Sequence, residues 1–257
     1  LHEIFDVRDI KTDMRITATI LCPGNNEVTA QSLTDHMDTL VENIVAFVKE
    51  YGLDGVDFDW EYPDQSAQWR VYGQFIKKLD QAFDREFGDS VTIGVALASW
   101  GVGFSRSAMR AIDEVHVMAY DLFDDDGCHS TFMTGAYSPM RYFNGLQYPR
   151  EQFNLGVPYY GRPVDGGAYW PSWSQVANEP DAYWSNAFPG NYTDENGNPV
   201  VLDDYYNCPS MVADKTAFAL QMGLGGVMIF PLNADRPHGN PLCLTDAIRR
   251  TIEERVE

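Results

Sequence analysis

The sequence predicts an α/β protein built on a parallel sheet, because short β-rich runs alternate with amphipathic helical stretches along most of its 257 residues. Two further observations agree. Pro and Gly punctuate the runs where strands and helices should stop, and an apolar content of 44 % with 13 % aromatics suffices for one core. A chain of this length fits a single domain of the α/β class, residues 1–257.

The elements follow in order. Residues 14–21 read as a strand stopped by Pro23-Gly24. A helix over Ser32–Tyr51 places Leu40, Ile44, Phe47 and Val48 on one face, and Gly52 ends it. A strand over Gly55–Tyr62 is closed by Pro63. A helix over Ser66–Phe87 follows, with Tyr72, Phe75, Ile76, Leu79 and Phe83 at helical spacing. Then come a strand Ser90–Ala98, a helix near Ser107–Asp113, a strand Glu114–Tyr120, and the Pro-, Tyr- and Gly-containing stretch 137–150. Strands Asn154–Tyr160 and Gly225–Phe230 and a helix at Leu244–Glu254 complete the series. Residues 163–210, rich in Gly, Pro, Asn, Trp and Tyr without helical period, read as an insertion or long loop.

A formal charge of -20 and a pI near 4.4 argue against nucleic acid, which needs clustered Lys and Arg. They suit an uncharged or cationic substrate. No apolar run reaches the 18 residues of a transmembrane helix. The chain begins at Leu1 without Met or an apolar leader, which reads as a processed or truncated form. Cys22, Cys128, Cys208 and Cys243 allow two disulfides or none. Asn191-Tyr192-Thr193 is a glycosylation sequon, consistent with an extracellular, secreted protein.

Asp54-Gly55-Val56-Asp57-Phe58-Asp59-Trp60-Glu61 carries the chemistry. In a strand, side chains alternate, so Val56, Phe58 and Trp60 face the helices while Asp57, Asp59 and Glu61 face the other way. Same-face neighbours lie roughly 6.6 Å apart. Carboxylates that close raise one another's pKa, so one should retain a proton near neutral pH, as a general acid requires. Two other readings of the pattern are a solvated edge strand with alternating acids and a Mg²⁺ or Ca²⁺ site. The apolar surroundings oppose the first. The lack of a nearby His or phosphate-binding loop opposes the second.

Residues 53–63 closely resemble the D-x-x-D-x-D-x-E signature of glycoside hydrolase family 18, the chitinase family. Val117-Met118-Ala119-Tyr120-Asp121, residues 155–162 and Gly225-Gly226-Val227-Met228-Ile229 resemble that family's strands six, seven and eight. The resemblance implies a TIM (β/α)8-type barrel, with the insertion after strand seven and no cofactor or metal. It implies retaining hydrolysis of β-1,4-linked N-acetylglucosamine polymers, with the substrate's own acetamide as nucleophile. Glu61 is then expected to protonate the glycosidic oxygen and later activate water. Asp59 would orient the acetamide, Asp57 would share a proton with Asp59, and Asp54 would serve as scaffold. Tyr120 would hydrogen-bond the acetamide carbonyl, with Met118 and Asp121 lining the same subsite. Tyr160 and Arg162 would bind sugar hydroxyls, and Phe230 would floor the site where the family commonly has Trp. Trp100, Trp170, Trp173 and Trp184 are candidates to stack on sugar rings, Trp100 foremost.

Three features depart from the family. Residues 1–13 are too short for the two strands that normally precede residues 14–21, so either the chain is a fragment, or the barrel is incomplete, or another chain completes it. An open barrel would expose sheet edges prone to self-association. The family's Ser-x-Gly-Gly is replaced by residues 21–25, and the floor Trp by Phe230. The alternatives to a chitinase are an endo-β-N-acetylglucosaminidase acting on N-glycans and a non-catalytic chitin-binding lectin. Glu61, which lectin members usually lose, opposes the last.

Overall fold

The computed structural model describes residues 13–22, 24–164, 169–176, 180–193 and 196–256. The strand stop at Pro23 and the shortfall of residues 1–13 therefore fall wholly or mostly outside the described residues. The chain divides into two units, Leu1–Val115 and His116–Glu257.

In the first unit β1 (Thr17–Leu21) is followed by two helices, α1 (Asn26–Asp35) and α2 (Met37–Tyr51), where one was expected from Ser32. The earlier start has a local cause: the Asn25 side chain accepts the N–H groups of Glu27 and Val28, which is N-cap geometry. The chain breaks at His36, and α2 ends at Gly52 in the left-handed conformation that glycine adopts without strain. Val41, Ile44 and Val48 are buried, whereas Phe47 lies outside and packs at a tilt on Tyr51, one turn along the helix.

β2 (Gly55–Asp59) is shorter than predicted, and Trp60 to Pro63 lie beyond it. α3 (Ser66–Phe87) has the predicted bounds and buries the predicted face, Tyr72, Phe75, Ile76, Leu79 and Phe83. β3 (Thr92–Leu97) follows, then only one turn of helix, α4 (Arg106–Met109), at the start of the helix expected near Ser107–Asp113. β2 pairs in parallel with β1 and β3, Asp57 opposite Thr19 and Gly94, and Asp59 opposite Leu21 and Ala96. Val56, Phe58 and Trp60 are buried; Phe58 meets Phe75 edge-on and Trp60 packs on Tyr72. The alternation of the acidic strand thus places its apolar face against α3.

β4 (Glu114–Val117) crosses the boundary between the units. In the second unit α5 (Ser138–Leu146) occupies the stretch left without an element. It runs on directly from a π-helical stretch, Met133–Tyr137, and Pro139, Met140 and Phe143 are buried. β5 (Phe153–Pro158) pairs in parallel with β9 (Gly226–Phe230). Between them lie β6 (Arg162–Pro163), β7 (Ala187–Thr193) and β8 (Pro199–Tyr205), an antiparallel sheet in the order β6-β8-β7, and then α6 (Pro209–Met222). The segment 163–210, read as an insertion or long loop, therefore holds a hairpin. The unexpected α6 is delimited by Pro209 at its start and left-handed Gly223 at its end. α6 packs on α7 (Leu244–Val256).

The core of this unit gathers Val157, Tyr159, Trp173, Tyr206, Val212 and Leu244. Trp173 is fully buried and its indole donates to the Leu242 carbonyl at 2.7 Å, so it anchors a loop and presents no face to a ligand. All four cysteines are free. Among the described residues β1 pairs with β2 alone and β9 with β5 alone, so a barrel is not closed. No described helix is long and apolar enough to cross a membrane.

Candidate active site

The acids of the first unit are graded in exposure along one face. Asp57 is buried, Asp59 half-buried and Glu61 exposed. Thr19 Oγ1 donates to Asp57 Oδ2 at 3.4 Å, and Gly94 beside Asp57 has no side chain to compete for that space. Burial pushes the Asp59 carboxyl up to about 6, reinforced by the charges of Glu61 and Asp57 and a hydrogen bond with Glu61. One acid of the cluster thus keeps a proton into the weakly acidic range.

Asp54 lies outside this group. Its Oδ2 accepts the Ile16 N–H at 2.7 Å while its own N–H donates to the Ile16 carbonyl at 2.8 Å, so it ties β1 to β2. Behind the strand, Cys22 donates its N–H to the Asp59 carbonyl at 2.9 Å. Burial, with the Asp59 charge, pushes its thiol up to about 11. Trp100, half exposed, meets Tyr62 edge-on at 5.6 Å.

In the second unit Met118 is buried just past β4, and Tyr120 and Asp121 follow it. Tyr120 stacks on Phe230 at 5.8 Å and meets Tyr160 at 6.1 Å, so those three predicted residues form one aromatic cluster. Tyr160 is buried and stacks on Trp170 at 4.7 Å, with ring planes 8° apart. The Arg162 guanidinium lies 4.4 Å from the Trp170 ring centre and its Nε donates to Asp121 Oδ1 at 2.7 Å. Asp121 has a left-handed backbone, φ 54°, and its N–H donates to Nε2 of the fully buried His129 at 3.0 Å. Burial alone would raise the Asp121 carboxyl, but His129 and Arg162 outweigh it and hold the group well below the usual carboxylate range. Burial pushes the His129 imidazole down.

The structure thus gathers Asp57, Asp59 and Glu61 in one unit, and Tyr120, Asp121, Tyr160, Arg162 and Phe230 in the other. Met118 is enclosed near the second group, and Trp100 reaches the first through Tyr62. Sequence reasoning left Trp170 as one loop tryptophan among several and missed His129, whose place eight residues after Asp121 has no periodicity to reveal it. Trp184 stands apart, the most exposed of these rings, against Tyr183. Among the described residues no group of three or more His, Cys, Asp and Glu could hold a metal ion.

The chain is similar to known proteins over most of its length. It is 24 % identical over 245 residues to the "Probable endochitinase" of Caenorhabditis elegans, an alignment covering 76 % of this chain and 39 % of that protein. It therefore spans about two fifths of that curated relative's length. Its fold matches the crystal structure of a chitinase from Bacteroides thetaiotaomicron with a TM-score of 0.78 at 21 % identity, over 100 % of this chain and 82 % of that one. It also matches a class V chitinase mutant from Nicotiana tobaccum, in complex with NAG4, with a TM-score of 0.73 at 16 % identity, over 96 % and 83 % of the two chains. The fold is accordingly of the TIM (β/α)8 type, with its barrel open among the described residues. The family model "Glycosyl hydrolases family 18" matches residues 11–235, and the chain belongs to that family of glycoside hydrolases.

Proposed function

We propose that this protein hydrolyses β-1,4-linked N-acetylglucosamine polymers, retaining the anomeric configuration through substrate-assisted catalysis. The observation that carries the reading is the graded acidic strand, with Asp59 pushed up to about 6 between Asp57 and Glu61. Glu61, the exposed member, protonates the glycosidic oxygen and then activates water. Asp59 holds the acetamide nitrogen while that group's carbonyl oxygen attacks the anomeric carbon, and Asp57 takes up the proton shared within the pair. The nucleophile is on the substrate, so a second catalytic carboxylate at glycosidase spacing is not needed.

Tyr120 donates to the acetamide carbonyl, in a subsite lined by Met118 and Asp121. Arg162 and Tyr160 bind sugar hydroxyls, and Phe230 and Trp100 offer rings for apolar sugar faces. Similarity to a tobacco chitinase solved with NAG4 supports an N-acetylglucosamine oligomer as ligand. Secretion belongs to the same proposal, supported by the sequon at Asn191, whose side chain is exposed on β7. So does self-association through the β1 and β9 edges, which size-exclusion chromatography tests.

The decisive experiment compares hydrolysis of a fluorogenic chitooligosaccharide by the wild type and by Glu61→Gln. The variant is expected to lose at least about a hundredfold in kcat. Equal activity overturns the assignment of Glu61. Binding without turnover in the wild type indicates a lectin, and release of N-glycans without cleavage of chitin oligomers indicates an endoglycosidase.

A further inference from the structure

Glu61 lies between two residues that share one partner. The Trp60 indole Nε1 donates to Asn26 Oδ1 at 2.7 Å, and Asn26 Nδ2 donates to the Tyr62 carbonyl at 2.8 Å. A single side-chain amide therefore holds the side chain of the residue before Glu61 and the backbone of the residue after it.

The segment depends on such support. The β2 ladder ends at Asp59, whose carbonyl takes the Cys22 N–H, so residues 60–62 continue past the last rung. Trp60 is 2 % exposed and packed on Tyr72, where an indole N–H without a partner would be costly. Asn26 is itself well placed to act as a fixed point. It is the first residue of α1, and the cap of that helix comes from Asn25, whose side chain takes the Glu27 and Val28 N–H groups at 3.1 Å and whose carbonyl takes the Thr29 N–H at 3.0 Å. The helix start is fixed without the Asn26 amide, which is directed at the acidic segment instead.

From this bracket we infer that Asn26 is a positioning residue for the catalytic acid, fixing the direction in which the Glu61 carboxyl leaves the strand. The inference rests on the proposed role of Glu61 and adds to it a residue outside the acidic motif. Because Asn26 reaches Glu61 only through its neighbours, its loss acts on the chemical step and leaves substrate binding in place.

The test uses Asn26→Leu, Asn26→Asp and Trp60→Phe with a chitooligosaccharide substrate, well below the melting temperature. Asn26→Leu removes both bonds and is expected to lower kcat about tenfold or more, with KM within about twofold. Asn26→Asp keeps the acceptor for Trp60, loses the donor to Tyr62, and is expected to fall in between. Trp60→Phe combined with Asn26→Leu adds little to Asn26→Leu alone. A readout independent of activity is hydrogen exchange of the Trp60 indole N–H by ¹⁵N NMR, protected in the wild type and about tenfold faster in Asn26→Leu. A folded Asn26→Leu with wild-type kcat, or losses that multiply in the double variant, overturns the inference while the proposed function stands. If the wild type cleaves no chitin oligomer, the proposed function fails. The exchange then decides the bracket alone: faster exchange in Asn26→Leu upholds it, and unchanged exchange overturns it.

Discussion

Arg162 and Asp121 form an ion pair at 2.7 Å, and Nε2 of His129 stands 3.4 Å from the same Asp121 oxygen. The pair closes a polar group at the foot of the Tyr160–Trp170 stack, so charge and aromatic surface are ordered together. A carboxyl held below its unfolded pKa stabilises the fold at pH values above about 4, and that stability is lost as pH falls through the folded pKa. Asp121→Asn should therefore flatten the acid limb of a melting-temperature profile below pH 4 and raise KM for a chitooligosaccharide several-fold. Calorimetry across pH and steady-state kinetics check both.

Asp59 has the opposite sign. Its folded pKa of about 6 exceeds the unfolded value, so the folded state binds the extra proton between about pH 4 and 6. The stability associated with that proton is present below pH 4 and lost as pH rises through 6. Asp59→Asn should melt higher than the wild type at pH 7 while losing at least about a hundredfold in kcat. A variant both less stable at pH 7 and fully active would contradict the assignment.

Lys215 on α6 is fully buried, and its Nζ donates to the Ser130 carbonyl at 2.8 Å. Desolvation pushes its pKa down to about 7, so between pH 7 and about 10 the unfolded chain binds a proton that the folded one does not. The wild type should gain stability relative to Lys215→Met across that window. The Ser130 carbonyl keeps a second donor, Asn207 Nδ2 at 3.1 Å, so the Met variant should still fold. Denaturant titrations at pH 7 and pH 9.5 measure the difference.

Gly156 shows close packing at a strand. A Cβ there would lie 2.2 Å from the Val117 carbonyl and 3.0 Å from the Ala119 nitrogen, both backbone atoms that cannot yield cheaply. Gly156→Ala is expected to cost about 2–4 kcal/mol, read as a fall in the urea midpoint.

Much of the first unit was legible from residues alone. The helix Ser66–Phe87 has a long apolar stripe and clear ends, so periodicity located it within a residue. The alternation of the acidic strand likewise assigned Val56, Phe58 and Trp60 to the buried face, because a period of two leaves no other choice. The break at His36 was hidden because an amphipathic pattern carries no mark of a change in axis. α5 was hidden because its Pro, Gly and Tyr residues resemble a loop, while the helix in fact runs on from the π-helical stretch before it. In the site, motif residues were readable because their spacing is local. His129, Trp170 and Asn26 depend on tertiary placement, to which local sequence spacing is blind.

Trp173 and the hairpin β7–β8 have different stakes in the molecule. The tryptophan, with Val176, Ala182, Tyr206 and Cys208, is woven into the core of the second unit, while the hairpin strands, buried Asp204 apart, alternate between exposed and half-exposed positions. Mutational drift should consequently be steep-walled at the buried root of this segment and nearly flat at its exposed hairpin positions. A library randomised at Val201 and Asp203 should yield mostly folded clones, and one randomised at Trp173 almost none. The hairpin is then a place where new surface can be tried out by mutation without renegotiating the fold that carries it.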